Sequence, residues 1–275
     1  MAEGQGRPTL EDVYGDWAIE ADELEQLLET SLHPRPPEML FDLVKGLGIS
    51  SRARALDAGC RDARHSVELV QRFGCRVVGI DVVPDNLQRG QRRLATAGVT
   101  NRVILLQGSI EAIPLRNGVC DFIWCRDMLN HVPDLVRGLA ECARVVRAGG
   151  AMLIYHTFAT DFLEPREAAS LYRTLAIQAP NMQPVYVEEV IRRGGWQIVH
   201  RDVIGSEWRE YWEEGEAKTT SKGLLRLARM RRARDRFVAA MGAVPCEVEM
   251  AGYVWGVYQM LGKLRPTVYT LSKSA

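Results

Sequence analysis

The stretch ALDAGCRDARHSVEL, Ala55 to Leu69, runs from a short apolar segment through a glycine turn into a helical pattern. Strand, tight loop and helix in that order open the nucleotide-binding α/β folds, in which the loop lies against a ligand. A dinucleotide loop would read G-x-G-x-x-G, because the backbone must approach a pyrophosphate and the helix must pack closely on the strand. Here Gly59 is followed by Arg61 and Arg64 at the other two positions. The loop departs from the dinucleotide pattern, and the question becomes which ligand it suits.

Outward from this stretch the same alternation continues. RALDAG, CRVVGID, RVILLQGS, CDFIWCRD and GGAMLIYHT are short, mostly apolar runs, the pattern of strands buried on both faces. Between them lie the helical patterns SVELVQRF, NLQRGQRRLATAG and VPDLVRGLAECARVVRAGG. Five alternations predict an α/β fold with a parallel, doubly wound sheet. Before this core, TLEDVYGDWAIEADELEQLLETSL and EMLFDLVKGLGI predict N-terminal helices. After it, WQIVHRDVIG predicts a strand, Glu207 to Lys263 a helical stretch, and TVYTLSK a last strand. The expected organisation is an N-terminal helical lid segment over 1–50, a core over 51–206, a helical cap over 207–263, and the last strand with its tail over 264–275.

A chain of 275 residues buries a full core, and its 35 basic and 35 acidic residues cancel. No global field draws it to nucleic acid or to an acidic membrane surface. The six cysteines show neither a C-x-x-C pair nor zinc spacing, so buried thiols in a reducing compartment are expected and no metal site is. With no targeting pattern and no long apolar run, a cytoplasmic protein free of membrane is expected.

Asp57 narrows the ligand. A carboxylate two residues before Gly59 disfavours a pyrophosphate and favours an ammonium group. S-adenosylmethionine is zwitterionic at its amino-acid end and carries no phosphate. The loop amides and the helix start suit its carboxylate, and Asp57 suits its amine, directly or through water. Asp81 closes the second strand about twenty residues past the loop, where a carboxylate takes ribose hydroxyls; a helix cap is its alternative. Ser109 and Ile110 follow the third strand, where adenine would lie, although Ser109 equally caps the turn around Glu111.

These segments together resemble the class I S-adenosylmethionine-dependent methyltransferases over about residues 52–157. The resemblance rests on LDAGC, VVGID, GSIEAIPL, DFIWCRDMLNHVPD and ARVVRAGGAMLIY. It implies a Rossmann-like sheet, mostly parallel with an antiparallel last strand. It also implies cofactor roles for Asp57, Gly59, Cys60, Asp81, Val82, Ser109, Ile110 and Cys125, with S-adenosylhomocysteine as product. The family loop resembles D-x-G-x-G-x-G, from which Arg61 and Ala63 depart. Either Arg61 crowds the methionine end, or its side chain turns outward while its backbone still serves.

Methyl transfer from a sulfonium is an in-line displacement that rests mainly on alignment in a dry pocket. His131, after the fourth strand, is the candidate general base, or else it orders its loop. Arg126 and Asp127 either face the pocket or cap the next helix. Tyr155 and His156 end the fifth strand at the edge that the resemblance turns toward substrate, or else they serve packing or loop hydrogen bonding. Cys60 and Cys125 read as small buried residues, not nucleophiles. In the inserted segment, Trp208 and Trp212 stand among several aromatics, and Tyr14 and Trp17 belong to the first helix. Such side chains suit an apolar or aromatic acceptor or build the cap's own core. LLRLARMRRARDRF spreads its arginines over more than one helical face, which ranks RNA methylation third, behind a non-methylating cyclase or binding protein on the same scaffold. A homodimer through the aromatic insert is also expected.

Overall fold

The computed structural model describes residues 8–14 and 19–273. The chain divides into two compact units, 1–34 and 35–275. The first holds helices α1 (Leu10–Tyr14) and α2 (Ala21–Glu29). Thr9 opens α1: its hydroxyl accepts from the Asp12 N–H at 3.2 Å, and Asp12 in return accepts from the Thr9 N–H at 2.7 Å.

The second unit is built on seven strands: β1 (Arg54–Ala58), β2 (Arg76–Asp81), β3 (Val103–Gln107), β4 (Cys120–Arg126), β5 (Val146–Ala159), β6 (Trp196–Val203) and β7 (Leu264–Lys273). They lie in the order β3-β2-β1-β4-β5-β7-β6. The first five pair in parallel, and β7 runs antiparallel between β5 and β6. The near-continuous apolar runs have the expected cause, since β1 and β4 are buried on both faces.

Alternation along the strands sorts two cores. Phe122 and Trp124 of β4 and Leu153 and Tyr155 of β5 pack on one face, with α3 (Met39–Gly46), α4 (Arg64–Phe73) and Leu94 of α5 (Pro84–Ala97). Ile123, Cys125, Met152 and Ile154 pack on the other, under α6 (Leu135–Val145) and α8 (Pro184–Arg193). Phe41 of α3 stacks on the fully buried Trp124 at a centroid distance of 4.9 Å. Thus α3, within the segment expected as a lid, contributes to the core under β4.

One local reading is corrected. The helical pattern through VVRAGG stops at Val145, and β5 begins at Val146, which pairs with Cys120. Gly149 has φ +70°, and a Cβ on Gly150 would stand 2.8 Å from the Asp121 carbonyl. The two glycines serve a strand irregularity and a close backbone approach.

Helix α7 (Pro165–Thr174) follows β5. Between β6 and β7 stand α9 (Glu207–Glu214), α10 (Thr219–Arg232), α11 (Arg234–Met241) and α12 (Ala243–Met260). Leu227 and Met230 of α10 close a small core of their own with Cys246 and Met250 of α12. Among the described residues no single helix is long and apolar enough to cross a membrane.

Candidate functional site

Strand order reverses around β1, which has β2 on one side and β4 on the other. Ligand crevices form at the carboxyl ends of strands at such a point. An open cavity of ≈ 1010 Å³ lies there, bordered by Gly59, Asp81, Ser109, Arg126 and His131.

The loop after β1 carries the geometry. Gly59, Arg61 and Ala63 have φ of +71°, +49° and +59°. These are the three positions at which a D-x-G-x-G-x-G loop has glycine, and the backbone bends there in the left-handed region despite the side chains. For a non-glycine residue that conformation costs about 1–2 kcal/mol. Two contacts hold it: the Cys60 N–H donates to the Ile80 carbonyl at 2.9 Å, and the Arg61 N–H donates to Asp81 Oδ2 at 2.9 Å. Ala63 is wholly buried, whereas the Arg61 side chain is exposed. Arg61 itself borders the cavity, beside Gly59 and Asp62.

Asp81 Oδ1 accepts from the Val83 N–H at 2.9 Å and from Asn86 Nδ2 at 3.0 Å. With Arg61 on Oδ2, three donors orient a carboxylate that borders the cavity. Asp57, by contrast, is covered. It is 1% exposed and accepts from Ser66 Oγ at 2.6 Å. Burial, opposed in part by Ser66 and aided by Asp81 and Glu68, raises its pKa from 3.8 to about 7.

A second network reaches the cavity from the helices between β6 and β7. Arg209 Nε donates to Gln259 Oε1 at 2.8 Å, Gln259 Nε2 to Thr157 Oγ1 at 3.3 Å, and Thr157 Oγ1 to Asp127 Oδ1 at 2.9 Å. Thr157 and Gln259 are buried. The relay ties α9 and α12 to a carboxylate on the cavity wall, so Asp127 faces the pocket and does not cap a helix.

Residues 56–154 match the methyltransferase domain family. Over this span the core is similar to a methyltransferase domain. Among known proteins, it is 29% identical over 119 residues to the sarcosine/dimethylglycine N-methyltransferase of Halorhodospira halochloris, covering 43% of this chain and 42% of that one. The chain thus spans less than half of that relative's length. Among solved structures, the [4+2]-cyclase SpnF superposes with a TM-score of 0.66 at 16% identity, over 86% of this chain and 81% of the other. Geranyl diphosphate methyltransferase in complex with S-adenosylmethionine superposes at 0.64 and 17%, over 86% and 84%. At these identities the likeness is one of fold.

Within residues 56–154, Gly59, Cys60, Asp81, Val82, Ser109, Ile110 and His131 border the cavity. Ser109 Oγ is already engaged: it accepts from the Glu111 N–H at 3.1 Å and donates to Glu111 Oε2 at 3.0 Å. The capping alternative holds for its hydroxyl, and its backbone remains at the cavity. Asp57 and Cys125 lie beneath the surface, and burial raises the thiol pKa of Cys125 as it does that of Cys60.

The expected substrate wall differs. Tyr155, His156, Trp208 and Trp212 do not border the cavity. Tyr155 and Trp208 are buried against each other with ring centroids 5.1 Å apart, because odd positions of this part of β5 face the α3–α4 side, where α9 lays Trp208. His156 points to the opposite face, where its Nε2 lies 2.7 Å from the Asn181 carbonyl and burial lowers its pKa. Trp212 packs edge-on against Tyr211. The side chain of Tyr14 and all of Trp17 lie outside the described residues.

Sequence reasoning passed over His65, Asn86 and Met128, which also border the cavity. The signal available for His65 was its place in the first turn after the glycine loop.

Proposed function

We propose that this chain is an S-adenosylmethionine-dependent methyltransferase for a small molecule, with the cofactor held in the cavity at the ends of β1, β2 and β4. The backbone of residues 59–63 carries this reading. It keeps the left-handed bends of a glycine loop although two of the three glycines are replaced.

The residues present fit the cofactor. Asp81 would take the ribose hydroxyls through an oxygen with spare acceptor capacity. The Ile110 side chain and the Ser109 backbone would hold adenine, and the loop amides with the α4 start would receive the carboxylate. Asp57 is covered by its own loop, so it acts on the amine through its field or through water, not by direct contact. When bound, the cofactor supplies an electrophilic methyl group on a sulfonium. The chain's part is to align an acceptor and keep water out.

His131 Nδ1 lies 3.3 Å from the Ala176 carbonyl. A carbonyl only accepts, so Nδ1 carries the proton and Nε2 is the atom free to take one from an acceptor. Met128, Val132 and Pro133 give this end of the cavity an apolar lining, which supports an acceptor with an apolar body. The relay from Arg209 to Asp127 supports residues 207–263 as a cap whose position is coupled to the acceptor side.

A non-methylating cyclase on this scaffold is the second reading, since the SpnF cyclase shares the fold. The two separate in one experiment. Protein is incubated with methyl-labelled S-adenosylmethionine and a panel of small amines, carboxylic acids and phenols. Release of S-adenosylhomocysteine in step with a labelled product supports the methyltransferase; conversion of an acceptor without that release supports the cyclase and defeats the first reading.

A further inference from the structure

Arg126 ends β4 beside the β1 loop, and the protein gives it less than a cation there requires. It is partly buried and borders the cavity. Its Nη1 lies 2.5 Å from His65 Nε2. A guanidinium only donates, so Nε2 is the acceptor and the imidazole proton sits on Nδ1. His65 is neutral: burial, then the charges of Arg126 and Arg64, bring its pKa down to about 3.

On its other side the guanidinium carbon lies 5.3 Å from the Trp208 ring centroid and 5.4 Å from that of Tyr155. These rings hold its plane but accept no hydrogen bond of ordinary strength. No carboxylate pairs with Arg126 among the described residues, and three neighbouring acids are engaged elsewhere. Asp62 pairs with Arg93, Asp81 takes loop amides, and Asp127 takes Thr157. Glu68 stands behind His65, its Oε1 3.7 Å from Arg64 and its Oε2 3.9 Å from His65 Nε2, and makes no ion pair with Arg126. Of five N–H donors, one has a partner among the described residues, on a partly buried cation at a cavity wall. That is the arrangement in which a planar oxyanion binds strongly.

We infer that Arg126 is an anion anchor, which holds a carboxylate or phosphate oxygen of a bound small molecule between the β1 loop and the end of β4. Two sources share this chemistry: an anionic group on the methyl acceptor, and the methionine carboxylate of the cofactor. The second rests on the functional reading above.

The test is calorimetric titration of the wild type, Arg126→Gln and Arg126→Lys. The probes are S-adenosylhomocysteine, 5′-methylthioadenosine, which keeps the nucleoside and lacks the carboxylate, and benzoate, phenyl phosphate and neutral benzamide. An anchor predicts a loss of roughly tenfold or more in Arg126→Gln for an anionic probe. Arg126→Lys retains part of that affinity, and methylthioadenosine binds all three proteins alike, which separates the effect from a folding defect. Loss confined to S-adenosylhomocysteine assigns the cofactor carboxylate. Loss of the preference for benzoate or phenyl phosphate over benzamide, with S-adenosylhomocysteine unaffected, assigns the acceptor. Wild-type affinity of Arg126→Gln for every anionic probe overturns the inference. Failure of methylthioadenosine to bind the wild type counts against the cofactor reading instead, and the benzoate and benzamide pair still judges the anchor.

Discussion

At Arg61 and Gly59 the same backbone bend has opposite consequences for substitution. Arg61 is exposed at φ +49°, so Arg61→Gly removes left-handed strain and takes away no packed side chain. Urea unfolding should show a gain of up to about 1 kcal/mol. Gly59 has φ +71°, and a Cβ there would stand 2.9 Å from Met128 Cβ and Cγ. Gly59→Ala should lose roughly 2 kcal/mol or more in the same measurement. Asp57 makes a prediction in pH. Its pKa is raised from 3.8 to about 7, so the folded state holds the proton more tightly than the unfolded chain. This group's contribution therefore favours folding most at low pH and declines as pH rises from about 4 to about 7. Asp57→Asn has no such decline. Relative to wild type, its stability should improve by roughly 2–3 kcal/mol between pH 5 and pH 8 in denaturant titrations. A pH-independent difference would mean that Asp57 is ionised in the fold.

At the scale of elements, α9 and α12 are joined to the sheet by polar contacts as well as by apolar ones. Gln259, at 2% exposure on α12, accepts from Arg209 on α9 and donates to Thr157 on β5. Burial already disfavours the Arg209 charge, whose pKa is lowered for that reason first. Gln259→Leu removes its acceptor and should cost about 2–3 kcal/mol by denaturant unfolding. Affinity for S-adenosylhomocysteine should stay within about twofold, because the relay ends on Asp127 and not on the Asp81 side of the cavity. Loss of cofactor affinity in that variant would show that the cap supports the whole site.

Over the whole molecule, what was legible in the sequence is what local chemistry decides. Five apolar runs between helical patterns gave the parallel sheet, because strands buried on both faces leave no polar alternation. Asp81 and the glycine loop were legible from their spacing along it. The start of β5 was not, since Val146–Gly150 continues a helical apolar pattern until its pairing with β4 is known. Trp208 and Tyr155 were misplaced for a related reason: aromatic rings line a pocket or fill a core with the same composition, and only the approach of α9 to β5 decides between them. That packing in turn brings Arg126 into view, its guanidinium lying over both rings.

The proposed cofactor site is built on a loop that lacks two glycines. The measurement that tests this most directly is calorimetric titration of wild type and Asp81→Asn with S-adenosylmethionine and S-adenosylhomocysteine. The account predicts micromolar binding of both by the wild type, and a loss of roughly 10- to 100-fold in the variant, the range for a hydrogen bond to a charged group. No binding by the wild type, or equal binding by the variant, would contradict it.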